Sequence, residues 1–150
     1  MTGDPMKGVF RGFDIAGNGL SAQLQRSEIV ASNLANMHRT GNSKNEPYRR
    51  KVVLFEELLE QSQKQGAGAA DVVAAGTQVA HVVDDSTPFP VFYQPGHPDA
   101  DDQGKVLGSN VDLFQELVDM QVIERSFDAN LTALRTYRTM LQNTINNMRA

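Results

Sequence analysis

From Val111 to Met148 the chain contains neither proline nor glycine, the two residues that most readily end a helix. Read at alternating spacings of four and three, this stretch gives Leu113, Leu117, Met120, Glu124, Phe127, Leu131, Leu134, Arg138, Leu141, Ile145 and Met148. Only Glu124 and Arg138 interrupt the apolar series. A sustained repeat of about 3.5 residues is the signature of a coiled-coil seam. Phe114, Val118, Ile123 and Tyr137 widen the stripe beyond a strict two-stranded zipper. At 1.5 Å per residue, such a helix is on the order of 55 Å long. Asn110 or Asp112 can supply the N-cap, and Glu116 lies where the positive end of the helix dipole favours an acid.

Phe13 to Leu34 repeats the habit more weakly. Phe13, Ala16, Leu20, Leu24, Ser27, Ala31 and Leu34 form one stripe, with Ile15, Ala22 and Ile29 beside it. Gly17 and Gly19 each cost roughly 1 kcal/mol relative to alanine in a helix interior. Two helices at opposite ends, each with a seam, are expected to pair with each other and with helices of other copies. Between them the composition changes. Thr40 to Glu46 is a polar turn, Tyr48 to Phe55 reads as a strand, and Val79 to Val83 and Val91 to Tyr93 are short strand candidates. Gln61 to Gln78, rich in Gly, Ala and Gln, reads as a flexible loop. The expected fold is therefore mainly α with a small β element. Long N- and C-terminal helices form a coiled-coil or helix-bundle region in residues 1–39 and 111–150, around a β-rich middle at 40–110.

Composition removes several classes of chemistry. With 150 residues, a formal net charge of −4 and no cysteine, the chain offers no disulfide, Cys-ligated zinc, iron–sulfur centre or thiol nucleophile. An acidic balance argues against nucleic acid as a partner. Nothing approaches the roughly 18 consecutive apolar residues of a membrane span, and Met1 to Phe13 lacks the apolar run of a cleaved secretory signal. Asp99 to Gly104 begins like a calcium loop, but the twelfth position, which needs a bidentate Glu, is Asn110; a solvated acidic turn is the expectation. His38, His81 and His97 have no ligand spacing, and no nucleophile elbow surrounds Ser32. Arg49-Arg50-Lys51 is the only basic run and reads as a solvated or interface face. The Asn130-Leu131-Thr132 sequon falls in the seam, where a glycan would obstruct packing. No catalytic residue, metal or cofactor is expected.

Ser32-Asn33-Leu34-Ala35-Asn36 remains, with two Asn spaced to share a helix face. They read either as helix C-terminal caps or as a polar register pin whose amides accept only matching partners. The same stretch, within Ile29 to Asn36 and followed by Pro47-Tyr48-Arg49-Arg50 and a strand, resembles the N-terminal signature of the bacterial flagellar rod and hook axial proteins. Tyr93 to Asp101 is similar to the segment before the last helix in the C-type proximal rod branch of that family. Gly104-Lys105-Val106, Asn110-Val111-Asp112, Glu116 and Arg125 to Asn130 continue the likeness in the same order.

The resemblance implies a non-enzymatic subunit of the periplasmic rod in the flagellar basal body, the hollow shaft that transmits torque. Such subunits leave through the flagellar type III export apparatus without a cleaved signal peptide. It implies other rod subunits and further copies of the chain as partners, with neither nucleic acid nor membrane insertion. The residues expected to carry subunit interaction are Leu20, Leu24, Ser32, Asn33, Leu34, Asn36, Leu113, Leu117, Met120, Phe127, Asn130, Leu131, Leu134, Leu141 and Ile145. An export chaperone or adaptor, holding a client through the same long helices, is the alternative. A cell-wall hydrolase would need two positioned carboxylates, and the acids at Asp99 to Asp102 have no evident partner.

Overall fold

The computed structural model describes residues 5–42, 44–62 and 71–149. Two long helices dominate it: α1 spans Pro5–Asn36 and α2 spans Leu113–Arg149. Proline suits the first position of α1, because the N–H it lacks would have no helical partner there. Asp112 is the N-cap of α2, its Oδ1 accepting from the backbone N–H groups of Phe114 at 2.7 Å and Gln115 at 3.2 Å. At the other end of α1, Asn36 Nδ2 donates back to the carbonyl of Ser32 at 2.7 Å, which makes it a local terminator.

Among the described residues, five strands lie between the helices: β1 (Thr40–Gly41), β2 (Lys51–Ser62), β3 (Asp71–Asp84), β4 (Val91–Tyr93) and β5 (Lys105–Gly108). They form a three-stranded sheet in the order β1-β5-β4 and a two-stranded sheet of β2 and β3. In the first, β5 is the antiparallel centre, pairing Thr40 with Gly108 on one side and Val91 with Leu107 on the other. Its Val106 is buried. Gly104, at φ +74°, turns the chain into β5 close against Pro95 and Tyr93. Asp101 Oδ1 braces that turn by accepting from the N–H groups of Gln103 and Lys105, both at 2.8 Å.

The segment expected to be a loop, Gln61 to Gln78, is largely strand where it is described. β2 runs to Ser62 and β3 begins at Asp71, while residues 63–70 lie outside the described residues. Its Gly and Ala content points to a loop, yet strands that pair satisfy the backbone whatever the side chains are.

The chain divides into two compact units, Met1–Gln25, Phe55–Ala80 and Glu124–Ala150 in one, Arg26–Leu54 and His81–Ile123 in the other. In the first, α1 and α2 meet antiparallel. The Tyr137 side chain occupies the space a Cβ on Gly12 would take, and a Cβ on Gly19 would lie 2.8 Å from the Asn130 amide. Ala16 and Ala22 are buried there. In the second unit the helices also run antiparallel, joined between Arg26 and Asp119 and between Asn33 and Glu116, with Val30 and Ile123 buried.

The face of α1 turned inward matches the predicted stripe only in part: its Ala16 is buried. Phe13 and Leu24, at 44% and 54% exposure, point outward, and Leu20 and Leu34 are half-buried. On α2 the predicted series is half-buried at Met120, Phe127, Leu131, Leu134 and Leu141, but Leu113, Leu117 and Ile145 are exposed. Small residues let the two backbones approach closely, and bulky ones on that face would hold them apart.

Candidate functional site

Polar side chains are buried in the second unit beside its apolar ones. Glu116 is 0% exposed, Asn33 1% and Arg50 7%. Asn33 uses its whole amide. Its Nδ2 donates to the Lys51 carbonyl at 2.9 Å and to Glu116 Oε2 at 3.1 Å, while its Oδ1 accepts from the Tyr48 hydroxyl at 2.9 Å and the Lys51 N–H at 3.0 Å. The Tyr48 hydroxyl also lies 3.3 Å from Ser32 Oγ. Glu116 receives a second donor, Arg50 Nε, at 2.6 Å on its other oxygen. The Arg50 guanidinium continues to Asp119 at 3.0 Å and Asp85 at 3.4 Å, and Arg26 reaches Asp119 at 2.8 Å. Buried polar groups are costly unless each finds a partner, and here each does.

Chain order explains how three separate segments converge. Asn33 sits near the end of α1, Tyr48 to Arg50 lead into β2, and Glu116 stands in the first turn of α2. Alternation along an extended segment then sorts the basic run. Arg49 turns one way, stacking over the Phe89 ring at 4.1 Å from its centroid and donating to the carbonyls of Asp85 and Thr87. Arg50 turns the other way, into the interior. Asn110 fastens the same backbone, accepting from the Arg50 N–H at 2.7 Å and donating to the Thr87 carbonyl at 3.1 Å.

Burial works to lower the Arg50 pKa, but the hydrogen bond and charge of Glu116, with Asp85 and Asp119, more than offset it, so the guanidinium is raised above its ordinary value. Asp85 is held below the usual carboxylate range, first by the hydroxyl and backbone N–H of Thr87 and then by Arg50.

Arg50 was read from sequence as part of a solvated or interface face; the structure buries it. A basic run in an acidic chain carries no mark of which member turns inward, and only the position of Glu116 decides it. Of the two Asn, Asn33 enters the cluster and Asn36 does not. Ser32 borders it through Tyr48, and Asn130 lies in the other unit against Gly19. Asp99, in the predicted acidic turn, accepts from Thr40 Oγ1 at 2.6 Å. Among the described residues no three His, Cys, Asp or Glu side chains are grouped to hold a metal ion, and no helix is long and apolar enough to cross a membrane. A groove of about 360 Å³ in this unit is bordered by His38, Arg39, Phe92, Gln94 and Val111, with no cluster of titratable groups aimed into it.

Outside this polar interior, part of the exposed surface is apolar. Phe114, Leu117, Val118 and Val122 fall at i, i+3, i+4 and i+8 on one flank of α2, at 78%, 50%, 61% and 44% exposure. Val91, Phe92 and Tyr93 of β4 are exposed as well.

Two regions of the sequence match described protein families. Residues 13–42 match the flagella basal body rod protein family, and residues 102–148 match the flagellar basal body rod FlgEFG protein C-terminal family. The chain is 38% identical over 133 residues to the flagellar basal-body rod protein FlgC of Yersinia enterocolitica, covering 89% of this chain and 92% of that one. It is 36% identical over 143 residues to FlgC of Bacillus subtilis, covering 89% and 93%. The chain belongs to the flagellar basal-body rod protein family. Within it, the chain is a homologue of FlgC, the proximal rod type. The two family matches hold Asn33 and Glu116, respectively, whereas Arg50, which joins them, lies between the matched regions.

Proposed function

We propose that the chain is a structural subunit of the proximal rod of the flagellar basal body, assembling through its terminal helices with other rod subunits and with copies of itself. The observation that carries this reading is the outward apolar flank of α2, Phe114, Leu117, Val118 and Val122, on a chain whose relatives over nearly their whole length are rod proteins. An exposed apolar strip on a helix is unfavourable in water and becomes favourable once a neighbour covers it. Side-by-side helices close-packed through such strips resist shear, because a dense interior has few soft deformations. That suits a shaft transmitting torque. The residues proposed to meet neighbours are the outward members of the expected set, Leu24, Leu113, Leu117 and Ile145, with Phe114 and Val118. Half-buried Leu20, Leu34, Met120, Phe127, Leu131, Leu134 and Leu141 support them from behind. Export through the flagellar type III apparatus to a periplasmic rod, without enzymatic activity, completes the proposal. Rod-protein relatives over 89% of the chain favour a subunit over an export chaperone.

The test replaces Phe114 and Val118 by Asp in a strain lacking the chromosomal copy. The purified variant keeps its stability to within about 0.5 kcal/mol, since both side chains are exposed in the single chain. The subunit is exported, yet purified basal bodies lack a rod and the cells do not swim. Normal swimming by this double variant would remove the helix-surface mechanism.

A further inference from the structure

We propose that Asn33, Arg50 and Glu116 form an intrachain register lock, which sets α1 against α2 in the single protomer before it meets another copy. All three groups, and every partner they use, belong to one chain and one compact unit. Among the described residues, the buried apolar positions of the two helices in this unit are aliphatic: Val30 on α1 and Ile123 on α2. Contacts of that kind discriminate weakly between registers, because sliding one helix by three or four residues returns a similar surface to the seam. The polar cluster discriminates strongly. A slip of one turn, about 5 Å, leaves Glu116 buried without Arg50, and leaves the Asn33 amide without the carboxylate and backbone groups it bridges. Buried polar groups contribute little net stability against apolar substitutes, and fixing register is their best-attested use. The lock has a directional consequence: with Glu116 turned inward, the angular spacing of α2 puts Phe114 and Val118 outward.

The assembly consequence rests on the rod reading; the lock itself does not. Because the chain has no cysteine, Ala35→Cys and Gln115→Cys, both at exposed positions of the second unit, place two unique spin labels. Electron–electron distance measurements on dilute purified protomer give one narrow distance in the otherwise wild-type chain. Two sets of changes are compared with it. The apolar triple variant Asn33→Leu, Arg50→Met, Glu116→Leu keeps volume and removes the polar code. Glu116→Gln keeps shape, but its NH2 group replaces one of the two oxygens that face Arg50 and Asn33, so one of those donors meets a donor. Each is expected to add a second population displaced by about 5 Å or more, one helical turn. Should the triple variant not fold, Glu116→Gln decides. An unchanged single distance in Glu116→Gln overturns the lock, as does a wild-type chain whose distances are broad when dilute and sharpen only on assembly. Glu116→Gln cells are expected to export the subunit and build fewer rods. Full swimming despite a broadened register overturns the assembly consequence. Failure of the wild-type gene to restore swimming to a deletion strain instead overturns the rod reading and leaves the lock standing.

Discussion

In the unit formed by residues 26–54 and 81–123, α1 meets α2 through hydrogen-bonded charge; in the unit formed by residues 1–25, 55–80 and 124–150, it meets α2 through missing side chains. Glu116, Asn33 and Arg50 are matched donor for acceptor, and each has one arrangement that satisfies it. Gly12 and Gly19 impose no such match: they make room for Tyr137 and Asn130, and another small residue could do part of that work. Polar burial selects one register, whereas glycine permits close approach in whichever register is selected. The two contacts therefore respond differently to substitution and to pH.

The largest effect is expected at the charged contact. Glu116→Ala leaves Arg50 buried without its shortest ion pair and the Asn33 amide without one of its two acceptors, and should cost about 3–5 kcal/mol in urea unfolding of the purified chain. If Arg50→Met is added to Glu116→Ala, part of that loss should return, since the guanidinium that lost its Glu116 partner is then gone. A loss no larger than that of an exposed substitution would mean that the cluster is open to water in solution. The glycine contact is less sensitive. Gly12→Ala drives a methyl group into Tyr137, and the overpacking, about 1–3 kcal/mol, is partly offset by alanine's better helix propensity of about 1 kcal/mol. Gly12→Ala with Tyr137→Leu should recover stability by relieving the clash, and failure to recover would place the strain elsewhere.

The smallest effect is acid-dependent and belongs to the charged unit. Asp85 has its pKa lowered from an ordinary 3.8, so it releases its proton more readily folded than unfolded. Its contribution is present above the ordinary value and is lost as pH falls through the lower folded value. Stability measured from pH 5 downward should decline more gently in Asp85→Asn than in the wild-type chain. Identical slopes would show that Thr87 and Arg50 do not hold the carboxylate in solution.

Much of this architecture could be read from sequence because it depends on near neighbours. A long stretch free of proline and glycine announces α2, Asn110 and Asp112 before it are the two candidate caps of which Asp112 is used, and Val91 to Tyr93 reads as the strand it is. Which helix face turns inward was harder to read. The apolar stripe of Phe13, Leu20, Leu24 and Leu34 looks like a seam by the rule that holds for a protein folding alone. Here the inward face carries Gly12, Ala16, Gly19, Val30 and Asn33, while Leu20 and Leu34 are half-buried and Phe13 and Leu24 remain outside. Hydrophobicity indicates that a face will be covered without saying by what.

The sequence by itself determined the two helices, the limits of α2, the small β region between them and a polar group at the end of α1, since propensity, capping and periodicity act over a few residues. Tertiary structure alone decided that Arg50, and not Arg49 or Lys51, goes inside, that Asn33 rather than Asn36 meets Glu116, and that β3 begins at Asp71. Those choices join groups separated by 66 and 83 positions in the chain, and a buried charge can settle only where a distant partner already stands to satisfy it.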